Sequence, residues 1–224
     1  MIDAHTHSLN KAATRSFVAA SDVASWSAAA DAPLAGGVAF YGIHPWFAGT
    51  WCEFMGVELA RALSADPSAG VGEIGLDRLR TKEISPEQRS AFLAQLRIAA
   101  GFDRPAVLHG AKCWGETVKA ASQFKGRIPT FLFHGFSRSE GLLDEIYALG
   151  GYVSVGPQIL NDHAVNLRSM VPRLRLDRLL VETDGADVPI AEVSRKVAGL
   201  RGIPPEEFDG IADSNAVRFA EGRT

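Results

Sequence analysis

Pro105-Ala106-Val107-Leu108-His109 is the stretch on which the fold turns. It is an unbroken apolar run closed by a histidine. A strand with one wet face alternates apolar and polar residues, whereas a parallel strand covered on both faces reads as a continuous apolar run. The same shape recurs along the chain, at residues 38–43, 69–76, 130–134, 152–155 and 178–184. Two earlier runs, 1–7 and 16–20, complete a set of eight strands.

Helices fill the gaps between these runs. Asp22 is placed to cap a helix over 22–30, which Pro33 and Gly36-Gly37 end. A second is expected over 51–64. A third starts at Ser85, with Pro86 in its first turn, and runs to about residue 100. Others are expected at 114–124, at 139–149 with Ser139 at its start and Gly150-Gly151 at its end, and at 163–171. The tail carries two more, near 190–200 and 214–220. Eight strands alternating with helices fit an α/β fold of the (β/α)8 TIM-type barrel better than an open sheet. The first unit is the exception. Residues 8–15 are too few and too polar for a helix, so helix 1 is expected to be reduced or missing. One domain is expected over 1–224.

Composition narrows the function classes. Hydrophobic residues make up 46% and charged residues 22%, which supports a large core and excludes disorder. The net charge of −3 and the lack of a basic run exclude general phosphate affinity, so contact with nucleic acid must be local. Cys52 and Cys113 are the two cysteines, without a C-x-x-C pair; free thiols in a reducing compartment are expected. No signal peptide is apparent and no apolar run is long enough to span a bilayer. The expectation is a cytoplasmic monomer, with no obligate protein partner.

The chemistry lies at the strand ends. In a parallel barrel the C-terminal strand ends meet at one mouth. His5 and His7 end the first run and, at i and i+2, share a face. Glu73 comes late in the fourth run, His109 ends the fifth, His134 the sixth and Asp184 the eighth. One such histidine is an ordinary hydrogen-bonded rim residue as readily as a ligand. Three strand ends with histidine and two with carboxylate point to metal. The donors are nitrogen and oxygen without thiolate, which suits zinc, manganese, iron, cobalt or nickel, and magnesium at oxygen-rich positions. Four histidines and two carboxylates exceed the needs of one catalytic ion, so two divalent ions are expected. Glu73 can bridge them, and Asp184 can ligate and take a proton from an activated water.

These segments, in order, resemble the TatD-related metal-dependent hydrolases of the amidohydrolase superfamily. The resemblance rests on His5-Thr6-His7, Gly42-Ile43-His44-Pro45, Gly72-Glu73-Ile74-Gly75-Leu76-Asp77, residues 105–109, Phe133-His134-Gly135-Phe136 and Leu180-Val181-Glu182-Thr183-Asp184. It extends to Asn215 and Phe219, similar to the family's closing helix. It implies a barrel hydrolase with deoxyribonuclease activity. By position, His5, His7 and Asp184 would hold one ion, His109 and His134 the other, and Glu73 would bridge. The chain departs from the family where an arginine usually follows the fifth-strand histidine. Here His109-Gly110-Ala111-Lys112-Cys113 makes Lys112 the nearest cation, and lysine lacks the planar fork of arginine.

The expected reaction is hydrolysis of a phosphodiester, at a DNA end or in a small substrate, using magnesium, manganese or zinc. The same centre suits an ester, lactone or amide, and a non-catalytic metal-binding protein is a third reading. His44, Lys112 and Trp114 are the expected substrate contacts. Trp46, Trp114 and Phe136 either line the mouth or cap the barrel's apolar top. Asp3, Glu182 and Asp77 are candidates for orienting the histidines. His163 reads as a surface residue.

Overall fold

The computed structural model describes residues 1–80, 82–137 and 140–223. Eight parallel strands follow one another in sequence order around a single sheet. They are β1 Ile2–Thr6, β2 Arg15–Ala19, β3 Val38–Tyr41, β4 Gly70–Asp77, β5 Ala106–Ala111, β6 Phe131–Phe133, β7 Gly151–Val155 and β8 Leu179–Val181. The helices are α1 Trp26–Ala30, α2 Glu53–Ala65, α3 Pro86–Phe102, α4 Trp114–Ser122, α5 Leu143–Ala148, α6 Val165–Met170, α7 Ile190–Arg201 and α8 Pro205–Ala220. This is the (β/α)8 arrangement, and no helix lies between β1 and β2.

Alternate residues of the short strands divide the core. Ile2, Ala4, Phe17, Phe40, Val107, Leu132, Tyr152 and Leu180 form the inner cluster, sealed from below by Ala216 and Phe219 of α8. The Phe219 ring stacks on Phe40 at 5.7 Å and 8°. Val18, Leu108, Phe133, Val153, Leu179 and Val181 belong to the larger outer cluster with the helices. The seam between β1 and β8 is closed largely by a side chain. Asp3 Oδ1 accepts the Thr183 N–H at 2.9 Å and Oδ2 accepts the Thr183 hydroxyl at 2.6 Å. Beside it, the Asp184 N–H donates to the His5 carbonyl at 3.0 Å.

Two register irregularities serve the site. One falls between Asp3 and Thr6 of β1, the other between Val71 and Ile74 of β4. Each lets the strand change phase, so that Val71 and Ile74 both face the outer core although three positions apart. His5 and Glu73 lie inside these two irregular steps. Gly75, at φ 151°, follows closely; a Cβ there would stand 2.1 Å from the His109 carbonyl oxygen. Only glycine lets β4 run this near β5.

Several boundaries differ from the sequence reading. The 22–30 helix is split: Asp22 caps a 3-10 turn over Val23–Ser25, accepting the Ser25 N–H at 2.9 Å, and α1 follows. Pairing with β4 carries β5 past His109 to Ala111. Ser139 lies outside the described residues; a 3-10 turn over Glu140–Leu142 precedes α5. The last helix starts at Pro205, because Phe208 and Ala212 extend its buried face well before Ser214.

Candidate metal centre

The predicted ligands meet at the C-terminal end of the barrel, around Glu73, which is 2% exposed and sits on β4. Its Oε1 lies 2.7 Å from His109 Nδ1, 2.8 Å from His134 Nε2 and 3.3 Å from His44 Nε2. Its Oε2 lies 3.4 Å from Nε2 of both His5 and His7. Asp184, three residues beyond β8 in a left-handed conformation at φ 52°, faces the same pair. Its Oδ1 is 3.5 Å from His5 Nε2 and 3.4 Å from His7 Nε2.

The outward sides of the rings decide which nitrogen faces in. His7 Nδ1 lies 3.0 Å from the Ala19 carbonyl, so it carries the proton and Nε2 presents a lone pair. His109 is turned the other way: Nε2 is 3.1 Å from Asp77 Oδ2, and Nδ1 faces Glu73. His134 Nδ1 lies 3.5 Å from Glu182 Oε1, and Glu182 is itself held by the Ser154 hydroxyl. His44 differs from all of these. Its Nδ1 accepts the backbone N–H of Trp46 at 3.1 Å, which leaves the neutral ring's proton on Nε2, on the side of Glu73. In that tautomer His44 turns its N–H, not a lone pair, toward the carboxylate.

Charge is strongly coupled here. Burial opposes ionisation of Glu73, but His134 and His44, with hydrogen bonds from His109 and His134, hold its carboxyl well below the ordinary range. Burial and His134 oppose a charge on His5, while Asp184 and Glu73 carry it up to about 9. Burial disfavours charge on His134 as well, yet Glu73 and Glu182 push it well above normal. His44 goes the other way, lowered chiefly by burial, and stays neutral. Burial works against the Asp184 carboxylate too, and the adjacent His5 and His7 rings hold it low.

These residues fit divalent metal. Among the described residues, three sets of potential donor atoms each lie within 4.8 Å of one another: His5, His7 and Asp184; His5, Glu73 and His134; and His44, Glu73 and His109, the last only if His44 Nε2 gives up its proton. His5 is fully buried, with neither ring nitrogen hydrogen-bonded in the protein. An orphaned buried nitrogen costs roughly 1–3 kcal/mol, which an ion would offset. Orphaned nitrogen beside two ionised carboxylates is a donor set made for a cation.

The expected surroundings of the site are partly corrected. His44 is 4% exposed and turned to Glu73, so it supports the centre rather than meeting a substrate. Trp114 is packed against Phe133 and Phe136 with ring centroids at 5.9 and 5.3 Å, which leaves it in the apolar layer and not in the mouth. Phe136 is buried in the same layer. Lys112 is exposed just beyond β5, at φ 56°. Asp3 orients no histidine; it closes the barrel seam. His163 is exposed. Asp77 does back a histidine, His109, whereas Glu182 stands behind His134 without a hydrogen bond to it. The Asp77 carboxyl is held below the ordinary range by hydrogen bonds from His109, the Arg80 backbone and Trp46, which outweigh its burial. The sequence reading gave no role to Arg80, which lies over the Trp46 ring at 4.6 Å.

Fold and site define a class: a parallel eight-stranded barrel with a histidine and carboxylate cluster at its C-terminal mouth. The family model described as TatD related DNase matches residues 6–221, and the chain belongs to that family. Among its relatives is a protein of Pectobacterium carotovorum named 3'-5' ssDNA/RNA exonuclease TatD, 32% identical over 164 residues. That match covers 73% of this chain and 63% of the relative, so the aligned part spans under two thirds of the relative's length. A Cronobacter sakazakii protein of the same name is 29% identical over 80% of this chain and 74% of its own. In shape, the crystal structure of YJJV, a TatD homolog from Escherichia coli, superposes with a TM-score of 0.85 at 24% identity, over 98% of this chain and 97% of that one.

Proposed function

We propose that this protein is a divalent-metal-dependent phosphodiesterase that hydrolyses single-stranded nucleic acid at an end. The observation that carries the reading is the buried Glu73 carboxylate, shared between His109 and His134 on one oxygen and His5 and His7 on the other. A carboxylate with two occupied sides is the natural bridge between two cations. The relatives named as exonucleases support the choice of phosphodiester as substrate.

Divalent ions bound here would supply Lewis acidity and an activated water at neutral pH. The chain's own residues do the rest. Asp184 is the site's most accessible carboxylate, with its side chain 35% exposed, and it would both face a bound ion and take the proton of an attacking water. His44 Nε2 stands 3.3 Å from Glu73 Oε1 and helps to keep that carboxylate anionic. The Ala19 carbonyl and Asp77 hold the outer nitrogens of His7 and His109, so that His7 Nε2 and His109 Nδ1 would face a bound ion.

The test is a substrate panel. The protein, stripped of metal and reloaded with magnesium, manganese or zinc, is offered a single-stranded oligonucleotide beside lactones, carboxyl esters and amides. Release of mononucleotides is expected. Turnover of the acyl substrates with none of the oligonucleotide would overturn the reading.

A further inference from the structure

A second constellation sits beside the metal centre, on the turns that follow β3 and β4. Trp46 is 49% exposed, although it is a large aromatic next to a polar cluster. Its ring is nevertheless fixed. The indole Nε1–H donates to Asp77 Oδ2 at 2.7 Å, and the ring meets His44 edge to face at 4.7 Å and 81°. Arg80 lies over the indole, its guanidinium carbon 4.6 Å from the ring centroid. Asp77 Oδ1 also accepts the backbone N–H groups of Leu79 and Arg80, at 2.7 and 2.8 Å, which sets the turn that carries the arginine.

The guanidinium of Arg80 forms no ion pair among the described residues. Arg78, two positions earlier, is already committed to the Lys112 carbonyl at 2.7 Å and to Glu116 at 3.5 Å. A guanidinium stacked on an aromatic face keeps its N–H edges open, in the planar fork that matches a phosphate. An exposed indole held at a fixed angle is a stacking surface for any base. Both are tied to the catalytic cluster through one carboxylate, because Asp77 Oδ2 takes the Trp46 and His109 N–H groups together.

We propose that Trp46 and Arg80 form the subsite for the nucleotide next to the bond that is cut, Arg80 gripping its phosphate and the Trp46–Arg80 stack supporting its base. This rests on the phosphodiesterase reading above. It supplies the arginine missing after His109, from a different strand: the guanidinium stands at the exit of β4 instead of β5.

The experiment measures binding of a fluorescent single-stranded DNA oligomer with hydrolysis-resistant phosphorothioate linkages to the metal-loaded protein, across a salt series. The same oligomer with abasic sugars at its terminal positions is run beside it. Arg80→Ala is expected to weaken binding about tenfold and to lower the slope of log affinity against log salt by about 0.7, one phosphate contact on a single strand. Arg80→Lys should restore the slope without the full affinity. Trp46→Leu should weaken the intact oligomer about tenfold and the abasic one far less. Circular dichroism and metal content are recorded for each variant. If an alanine variant does not fold, Arg80→Lys and the abasic oligomer on the unaltered protein still decide. Wild-type affinity and salt slope in Arg80→Ala, with cleavage by the unaltered protein intact, overturn the subsite and leave the phosphodiesterase reading standing. Failure of the unaltered protein to bind or cleave any single strand removes both.

Discussion

His109 turns Nδ1 toward Glu73, at 2.7 Å, while His134 approaches the same carboxylate oxygen with Nε2, at 2.8 Å. The two rings thus use different nitrogens to reach one atom. Behind His109, Nε2 is hydrogen-bonded to Asp77 at 3.1 Å; behind His134, Glu182 Oε1 stands 3.5 Å from Nδ1 without a hydrogen bond. Asp77 thus fixes which nitrogen of His109 faces the centre.

Asp77→Asn tests this dependence. Asp77 accepts from His109 and Trp46 on one oxygen and from two backbone N–H groups on the other. An amide in either orientation sets its NH2 against one of these donor pairs. Metal affinity, measured by titration calorimetry, is expected to fall roughly 10- to 100-fold with the fold retained. An unchanged affinity would show that His109 needs no such support.

Asp3→Ala should act on stability. The fully buried carboxylate holds the Thr183 N–H and hydroxyl across the seam, and the Asn10 amide on its own side. Its loss orphans the backbone donor and is expected to cost about 1–3 kcal/mol in urea denaturation. A midpoint within error of the unaltered protein would mean that the seam is held elsewhere.

Cys113 provides a pH dependence. It is buried, and burial pushes its thiol from 9.0 up to about 11. The unfolded chain therefore loses this proton first. The thiol's contribution to stability is whole below pH 9 and is lost as pH rises toward about 11. Melting temperatures across that window should fall more steeply for the unaltered protein than for Cys113→Ala. Parallel slopes would contradict the assignment. In the folded protein, iodoacetamide should label exposed Cys52 well before Cys113.

Much of this was legible in the sequence, for physical reasons. Continuous apolar runs such as Val107-Leu108 mark strands buried on both faces, and polar residues at their ends mark the mouth. The missing first helix was legible because residues 8–15 are too few to make one. What stayed hidden depends on contacts distant in the chain. That Trp114 packs into the apolar layer while Trp46 stands at the mouth cannot be read from two tryptophans that each follow a strand end. Strict alternation places Ala4 and His5 on opposite faces, and the step in β1 that changes this is a property of its pairing with β2. Arg80 gave no signal, because its meaning comes from Trp46, thirty-odd positions earlier.

In the proposed function Glu73 would join two ion sites into one catalytic centre. The most direct measurement is metal content and single-strand hydrolysis, before and after stripping and reloading, for the unaltered protein and Glu73→Gln. The unaltered protein should bind about two ions, lose activity on stripping and regain it on reloading. Glu73→Gln, folded by circular dichroism, should hold less metal and cleave slower by about two orders of magnitude or more. Near-normal metal content and turnover in Glu73→Gln would contradict the account.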